Sequence, residues 1–103
     1  MARVFLDVDP RTLRLPPSRL SGADPIKLTR HLSQFGTSVA GMPPLEVLRG
    51  AGGELMILSG VTRATRATRV AKFLPGTLVR VEVVTDRPGL DLTQFPKIED
   101  RLP

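Results

Sequence analysis

Between Glu54 and Val84 the chain runs through an apolar segment, a glycine, a three-residue repeat and a second apolar segment, an order that narrows the fold sharply. Glu54–Leu58 (ELMIL) reads as a strand that Ser59-Gly60 ends, and a helix follows from about Thr62 to Leu74, closed by Pro75-Gly76. Thr77–Val84 (TLVRVEVV) is the most β-branched stretch of the sequence. Its Arg80 and Glu82 alternate against Val79, Val81 and Val83, the period of a strand with one buried face. Strand, helix and strand in this succession imply an α/β chain.

The flanking segments add short elements of the same kinds. Arg3–Val8 is rich in β-formers and stops at Asp9-Pro10, and Thr12–Pro17 alternates apolar and polar residues as a short edge strand would. Ser21-Gly22-Ala23 is loop. Asp24-Pro25 then opens a helix, with Asp24 as its cap and Pro25 at the first helical position. Leu28, Leu32 and Phe35 form its buried stripe, Gly36 its stop, and Lys27, Arg30, His31 and Gln34 lie toward the polar side. Thr37–Pro44 is loop, and Leu45–Leu48 pairs with Glu54–Leu58 as a hairpin around Gly50–Gly53. The expectation is an α+β domain over residues 1–84, with a small mixed sheet and two main helices, the second starting within two residues of Val61. Residues 85–103 form a proline-containing tail that Leu90, Leu92, Phe95 and Ile98 anchor loosely.

Composition removes several chemistries. The 103 residues contain no cysteine, which rules out disulfides, a thiol nucleophile and thiolate metal sites. His31 is the single histidine, so one chain cannot build a multi-histidine metal centre, and no metal site is assigned. Tryptophan and tyrosine are absent, which argues against a base-stacking surface. Fifteen Lys+Arg against ten Asp+Glu give a net charge of +5 and a pI near 11.1. Twelve of the cations are arginines, suited to bidentate contact with phosphate or carboxylate, although high-GC coding also enriches arginine. The partner expected from charge is a nucleotide or nucleic acid, with a protein partner or a homodimer as the other course. No apolar run approaches the ~20 residues of a membrane span. Met1–Asp9 lacks a signal-peptide core, and the expected location is cytoplasmic.

The repeat Thr-Arg-Ala, Thr-Arg-Ala, Thr-Arg occupies Thr62–Arg69. Three residues turn about 300° on a helix, so Arg63, Arg66 and Arg69 drift by only about 60° each and share a broad face. Thr62, Thr65 and Thr68 lie beside them, and Ala64, Ala67, Ala71 and Leu74 form an opposite, buried stripe whose small side chains let the helix sit close to a sheet. Arginines in the first turns of a helix oppose its dipole, at about 0.3–1 kcal/mol each, and a bound anion reverses that penalty. Gly60 before the free amides of Val61 and Thr62 permits such an anion to approach. The phosphate-binding candidates are therefore Gly60, Thr62, Arg63, Thr65, Arg66 and Arg69. The plainer alternative is an ordinary strand-to-helix turn with a solvated arginine face.

Several short motifs in fixed order extend this reading: Pro44-Leu45-Glu46-Val47, Leu55–Gly60 (LMILSG), Gly60-Val61-Thr62-Arg63 and Leu78–Val83. In order and spacing they resemble the ParB N-terminal domain and its relatives with the sulfiredoxin-like fold, over about residues 3–84. The resemblance implies that the G-x-x-R turn holds nucleotide phosphates, giving Gly60 and Arg63 this role with Thr62 and Arg66 in support. It also implies that Ser18 and Arg19 come near the Gly60 loop. Relatives that bind or hydrolyse nucleotides carry Glu, His or Arg where this chain has Val61 and Thr62. The sulfiredoxin cysteine is missing, so sulfinic-acid reduction is excluded, and the helical part with which partition proteins bind a specific DNA site has no counterpart here.

No nucleophile–base–acid set can be read from spacing. His31 and Asp7 are the catalytic candidates, each with a plainer reading as a surface or boundary residue. Asp7 and Asp9 flank Val8 at a strand end, a pair of carboxylates that could take Mg²⁺, and no cofactor is assigned beyond that. Ser18, Arg19 and Ser59 are supporting candidates, with helix capping the first reading of Ser59. Asp24 reads as a cap, and Glu46 and Glu82 as solvent-facing. The function expected is phosphate binding at Gly60–Arg66 with weak or substrate-specific phosphohydrolase or nuclease activity. The alternatives are a toxin-type effector on the same scaffold and a non-catalytic basic interaction module.

Overall fold

A computed structural model of the chain describes residues 3–35 and 41–102. Strands β1 (Val4–Val8), β2 (Leu45–Arg49), β3 (Leu55–Ser59) and β4 (Val79–Asp86) form a mixed sheet in the order β1-β4-β2-β3. Helices α1 (Pro25–Phe35) and α2 (Val61–Phe73) complete the α+β architecture. β1 runs antiparallel to β4, with Val4 opposite Val83 and Val8 opposite Val79, and β2 lies parallel to β4 from Leu45 beside Val81. β2 and β3 make the expected antiparallel hairpin. The β3–α2–β4 connection therefore spans β2, and both apolar segments that flank α2 belong to one sheet.

One sheet face carries the main core. Alternate residues Leu45 and Val47, Leu55 and Ile57, Val79 and Val81 are buried there together with Ala64 and Ala67 of α2. These two small side chains place the inner face of α2 in the main core. Asp24 begins α1 as its pattern predicts, its Oδ1 accepting the Ile26 N–H at 2.9 Å. Leu28 is buried, while the side chains of Leu32 and Phe35, together with the expected stop at Gly36, lie outside the described residues.

α2 departs from its expected amphipathic pattern. α1 and the 3₁₀ turns at Pro10–Thr12 and Ile98–Arg101 pack against it, and Thr65, Arg66 and Thr68 are buried along with the alanines. Arg66 stands between the half-buried Arg63 and Arg69 and turns its guanidinium inward, with Nη2 3.3 Å from Met42 Sδ. The two threonine hydroxyls are satisfied within the helix, Thr65 Oγ1 donating to the Val61 carbonyl at 2.8 Å and Thr68 Oγ1 to the Ala64 carbonyl at 2.7 Å. Leu74, expected on the buried stripe, is 60% exposed, because the helix ends at Phe73 and Leu74, its C-cap, has left the helical period.

The segments expected to be peripheral are drawn into the fold. Residues 13–15 do not form a free edge strand. The Arg14 amide donates to the Leu55 carbonyl and its carbonyl accepts from Ile57 N–H, while Leu15 N–H donates to Pro96 and Ile98 N–H to Leu13. The 3₁₀ turn at Pro10–Thr12 and the prolines at 16 and 17 limit this pairing to a single bridging residue, with the C-terminal segment outside it. Leu13, Leu15 and Ile98 thus enter the main core, and Leu92 closes a smaller cluster with Leu48 and Met56 on the other sheet face. A Cβ on Gly50 would fall 2.6 Å from both the Leu90 carbonyl oxygen and Leu92 Cγ, so the tail also needs a glycine at the end of β2. The expectation of loose anchoring is corrected: Leu92 and Ile98 are core residues.

Near the end of β1, Asp9 accepts hydrogen bonds from the Arg11 side chain at 2.7–3.1 Å and from the Arg11 amide at 2.9 Å. The Arg11 guanidinium holds the Asp9 carboxyl below its ordinary range, so the contribution is full above the unfolded pKa and is lost as pH falls through the folded one. Both side chains are partly exposed, so solvent screens the pair and its contribution is small. Asp9→Asn keeps the cap and removes the charge. Its stability deficit, measured by urea unfolding, is expected at pH 6–7 and to close below roughly pH 4; an equal deficit at pH 3 and pH 7 would assign the effect to packing instead.

Candidate functional site

Gly60 links β3 to α2 in a left-handed conformation, φ 103°, and no side chain caps the helix there. The first turn of α2 therefore begins with amide donors and no acidic residue beside them. Arg63, in that turn, folds back over the glycine. Its Nη1 donates to the Pro43 carbonyl at 3.1 Å, and a Cβ on Gly60 would meet its Nη2 at 2.8 Å. The absent side chain at residue 60 is what lets the guanidinium lie over the start of the helix.

This turn is one wall of a cleft of about 370 Å³. Gly60, Val61, Thr62 and Arg63 face Ser18 and Arg19 from the turn after the paired prolines, and Asp24 and Lys27 from the start of α1. Pro16, Ala23 and Leu58 supply its apolar surface. The first turns of both helices thus open on the same space. Three cations, Arg19, Lys27 and Arg63, share it with one carboxylate, an arrangement suited to a phosphate or another multiply charged anion.

Of the expected phosphate-binding residues, Gly60, Thr62 and Arg63 line the cleft, as do the supporting Ser18 and Arg19. Thr65, Arg66 and Arg69 do not. Arg66 is 3% exposed, with Nη2 3.3 Å from Met42 Sδ, and burial pushes its pKa down from the usual arginine value. Ser59 does not cap α2; it lies at the end of β3 opposite Glu46, because the left-handed glycine takes the cap position. Asp7 sits on β1, at the other edge of the four-stranded sheet from β3, and does not line the cleft. The His31 side chain lies outside the described residues.

Among the described residues no group of three or more His, Asp or Glu side chains could hold a metal ion, and Asp9, half of the expected Mg²⁺ pair, is engaged with Arg11. No helix among them is long and apolar enough to cross a membrane. Two cleft residues escaped the sequence reading as site residues. Asp24 was legible as a cap and Lys27 as a polar position, but only the convergence of α1 and α2 turns them toward Arg63. Compared with known proteins, the chain matches no family model and no curated protein.

Proposed function

We propose that this chain is a ParB-like domain of the sulfiredoxin-like fold that binds a nucleotide or nucleic-acid phosphate in the cleft between Gly60–Arg63 and Arg19. The observation that carries this reading is the gathering of Arg19, Lys27 and Arg63 around an uncapped helix start that glycine leaves open. Backbone amides and guanidinium donors there satisfy phosphate oxygens, and the bound anion offsets the unfavourable position of Arg63 in the first turn. Arg66 is buried away from the cleft and takes no part in holding the ligand. Its burial also counts against a module that docks partners through an open arginine face of α2.

Turnover follows as weak or confined to particular substrates. Val61 and Thr62 offer no acid or base between Gly60 and Arg63, and hydrolysis requires a positioned water or a metal in addition to charge stabilisation.

Titration calorimetry with nucleoside triphosphates and with a DNA oligomer tests the binding. Affinity is expected to fall as salt rises. Arg63→Ala is expected to weaken it at least tenfold, about 1.4 kcal/mol, and Arg19→Ala, which alters an exposed side chain, to weaken it without loss of stability. Binding that both variants retain at parental strength would place the anion site elsewhere.

A further inference from the structure

Asp24 is the only acid among the residues that line the cleft, and it pairs with none of the cations there. Both of its side-chain hydrogen bonds use one oxygen, Oδ1, which accepts from Ile26 N–H at 2.9 Å and Lys27 N–H at 3.4 Å. Among the described residues Oδ2 has no hydrogen-bond partner. Capping does not require the charge, since asparagine and serine cap a helix as well as aspartate does. The carboxylate also stands against the purpose of a purely anion-binding cleft, because it repels what Arg19, Lys27 and Arg63 attract. The cleft is larger than a phosphate needs: about 370 Å³ lies within the range of pockets that take small organic ligands, about 300–1,000 Å³.

We propose that Asp24 is a specificity-determining residue: its free oxygen accepts a hydrogen bond from a hydroxyl on the organic part of a phosphorylated ligand and disfavours compact polyanions without such a donor. This rests on the phosphate reading of the same cleft. The three cations hold the phosphate end, while Asp24, oriented by its 2.9 Å bond from Ile26 N–H, reads the sugar end. A carboxylate is the stronger acceptor for a hydroxyl, and the charge-assisted bond offsets the water that the donor replaces. Ligands that are phosphate throughout meet the same carboxylate as a repulsive charge.

Calorimetry on the full chain and on Asp24→Asn separates the two ideas, because asparagine preserves the cap. The probes are inorganic pyrophosphate, a ribonucleoside diphosphate and the same diphosphate lacking its 2′ and 3′ hydroxyls. The parental chain is expected to prefer the hydroxyl-bearing diphosphate over the dideoxy form by about tenfold, the worth of a hydrogen bond to a charged acceptor. In Asp24→Asn that preference shrinks severalfold and pyrophosphate binds more tightly than to the parent. If the diphosphates bind but Asp24→Asn changes neither the preference nor the pyrophosphate affinity, the role of Asp24 is overturned and the phosphate site stands. If none of the three probes binds either protein, the phosphate reading falls and the role of Asp24 with it; binding only to a DNA or RNA oligomer likewise overturns the sugar-hydroxyl assignment.

Discussion

Gly60→Ala is expected to destabilise the fold by roughly 3 kcal/mol and to abolish the proposed phosphate binding at the cleft. Two separate costs combine. At φ 103° the backbone is in the left-handed region that alanine adopts only under strain. The new methyl would also lie 2.6 Å from Leu45 Cδ2 and 2.8 Å from Arg63 Nη2. Leu45 is fully buried in the main core and has nowhere to go, whereas Arg63 can swing away. The swing removes the guanidinium from its place over the helix start, so stability and binding fail together. A thermal melt should show a drop of about 10–20 °C. A variant that melts within about 2 °C of the parent would mean that the β3–α2 turn accommodates a side chain, contrary to the geometry described.

Ile98→Ala is expected to cost about 2–4 kcal/mol, as deletion of most of a fully buried aliphatic side chain does. Ile98 is 1% exposed and packs in the same cluster as Leu13, Leu15 and the inner residues of the sheet. Its amide also bonds to the Leu13 carbonyl at 2.8 Å, so the cavity opens beneath a hydrogen-bonded bridge that resists collapse. Phe73→Ala is the matching control. Phe73 is the larger residue and stands in a regular helix, but it is 84% exposed, and its removal should change stability by less than about 0.5 kcal/mol. Urea unfolding of the two variants decides the matter: a cost below 1 kcal/mol for Ile98→Ala would make the tail peripheral after all.

Much of the framework was readable from local pattern. The alternation of Val79, Val81 and Val83 with Arg80 and Glu82 announced β4, and Asp24-Pro25 announced the start of α1, because strand period and cap chemistry act over a few neighbouring residues. Gly60 was legible for the same reason, as a break between two confident periodicities. Within the candidate cleft, Thr62 and Arg63 could be named because they follow that break directly. Ser18 and Arg19 were tied to it only through a family resemblance.

What escaped was set by contacts between segments distant in sequence. Nothing in Thr-Arg-Ala repeats says that α1 and the turns at Pro10–Thr12 and Ile98–Arg101 will pack on α2, so Thr65 and Arg66 looked as available as Arg63, and the burial of Arg66 became visible only in the folded chain. Ile98 and Leu92 sit in a proline-broken tail with no periodicity to mark an inner side, yet the bridge at Arg14 brings that tail into the core. Asp24 and Lys27 show the division most clearly. Their places on α1 follow from an N-cap motif and a helical period, which are properties of a single turn of backbone. Their presence opposite Arg63 follows from the way two helices converge, and that depends on the summed shape of a core to which the residues of the cleft themselves contribute little.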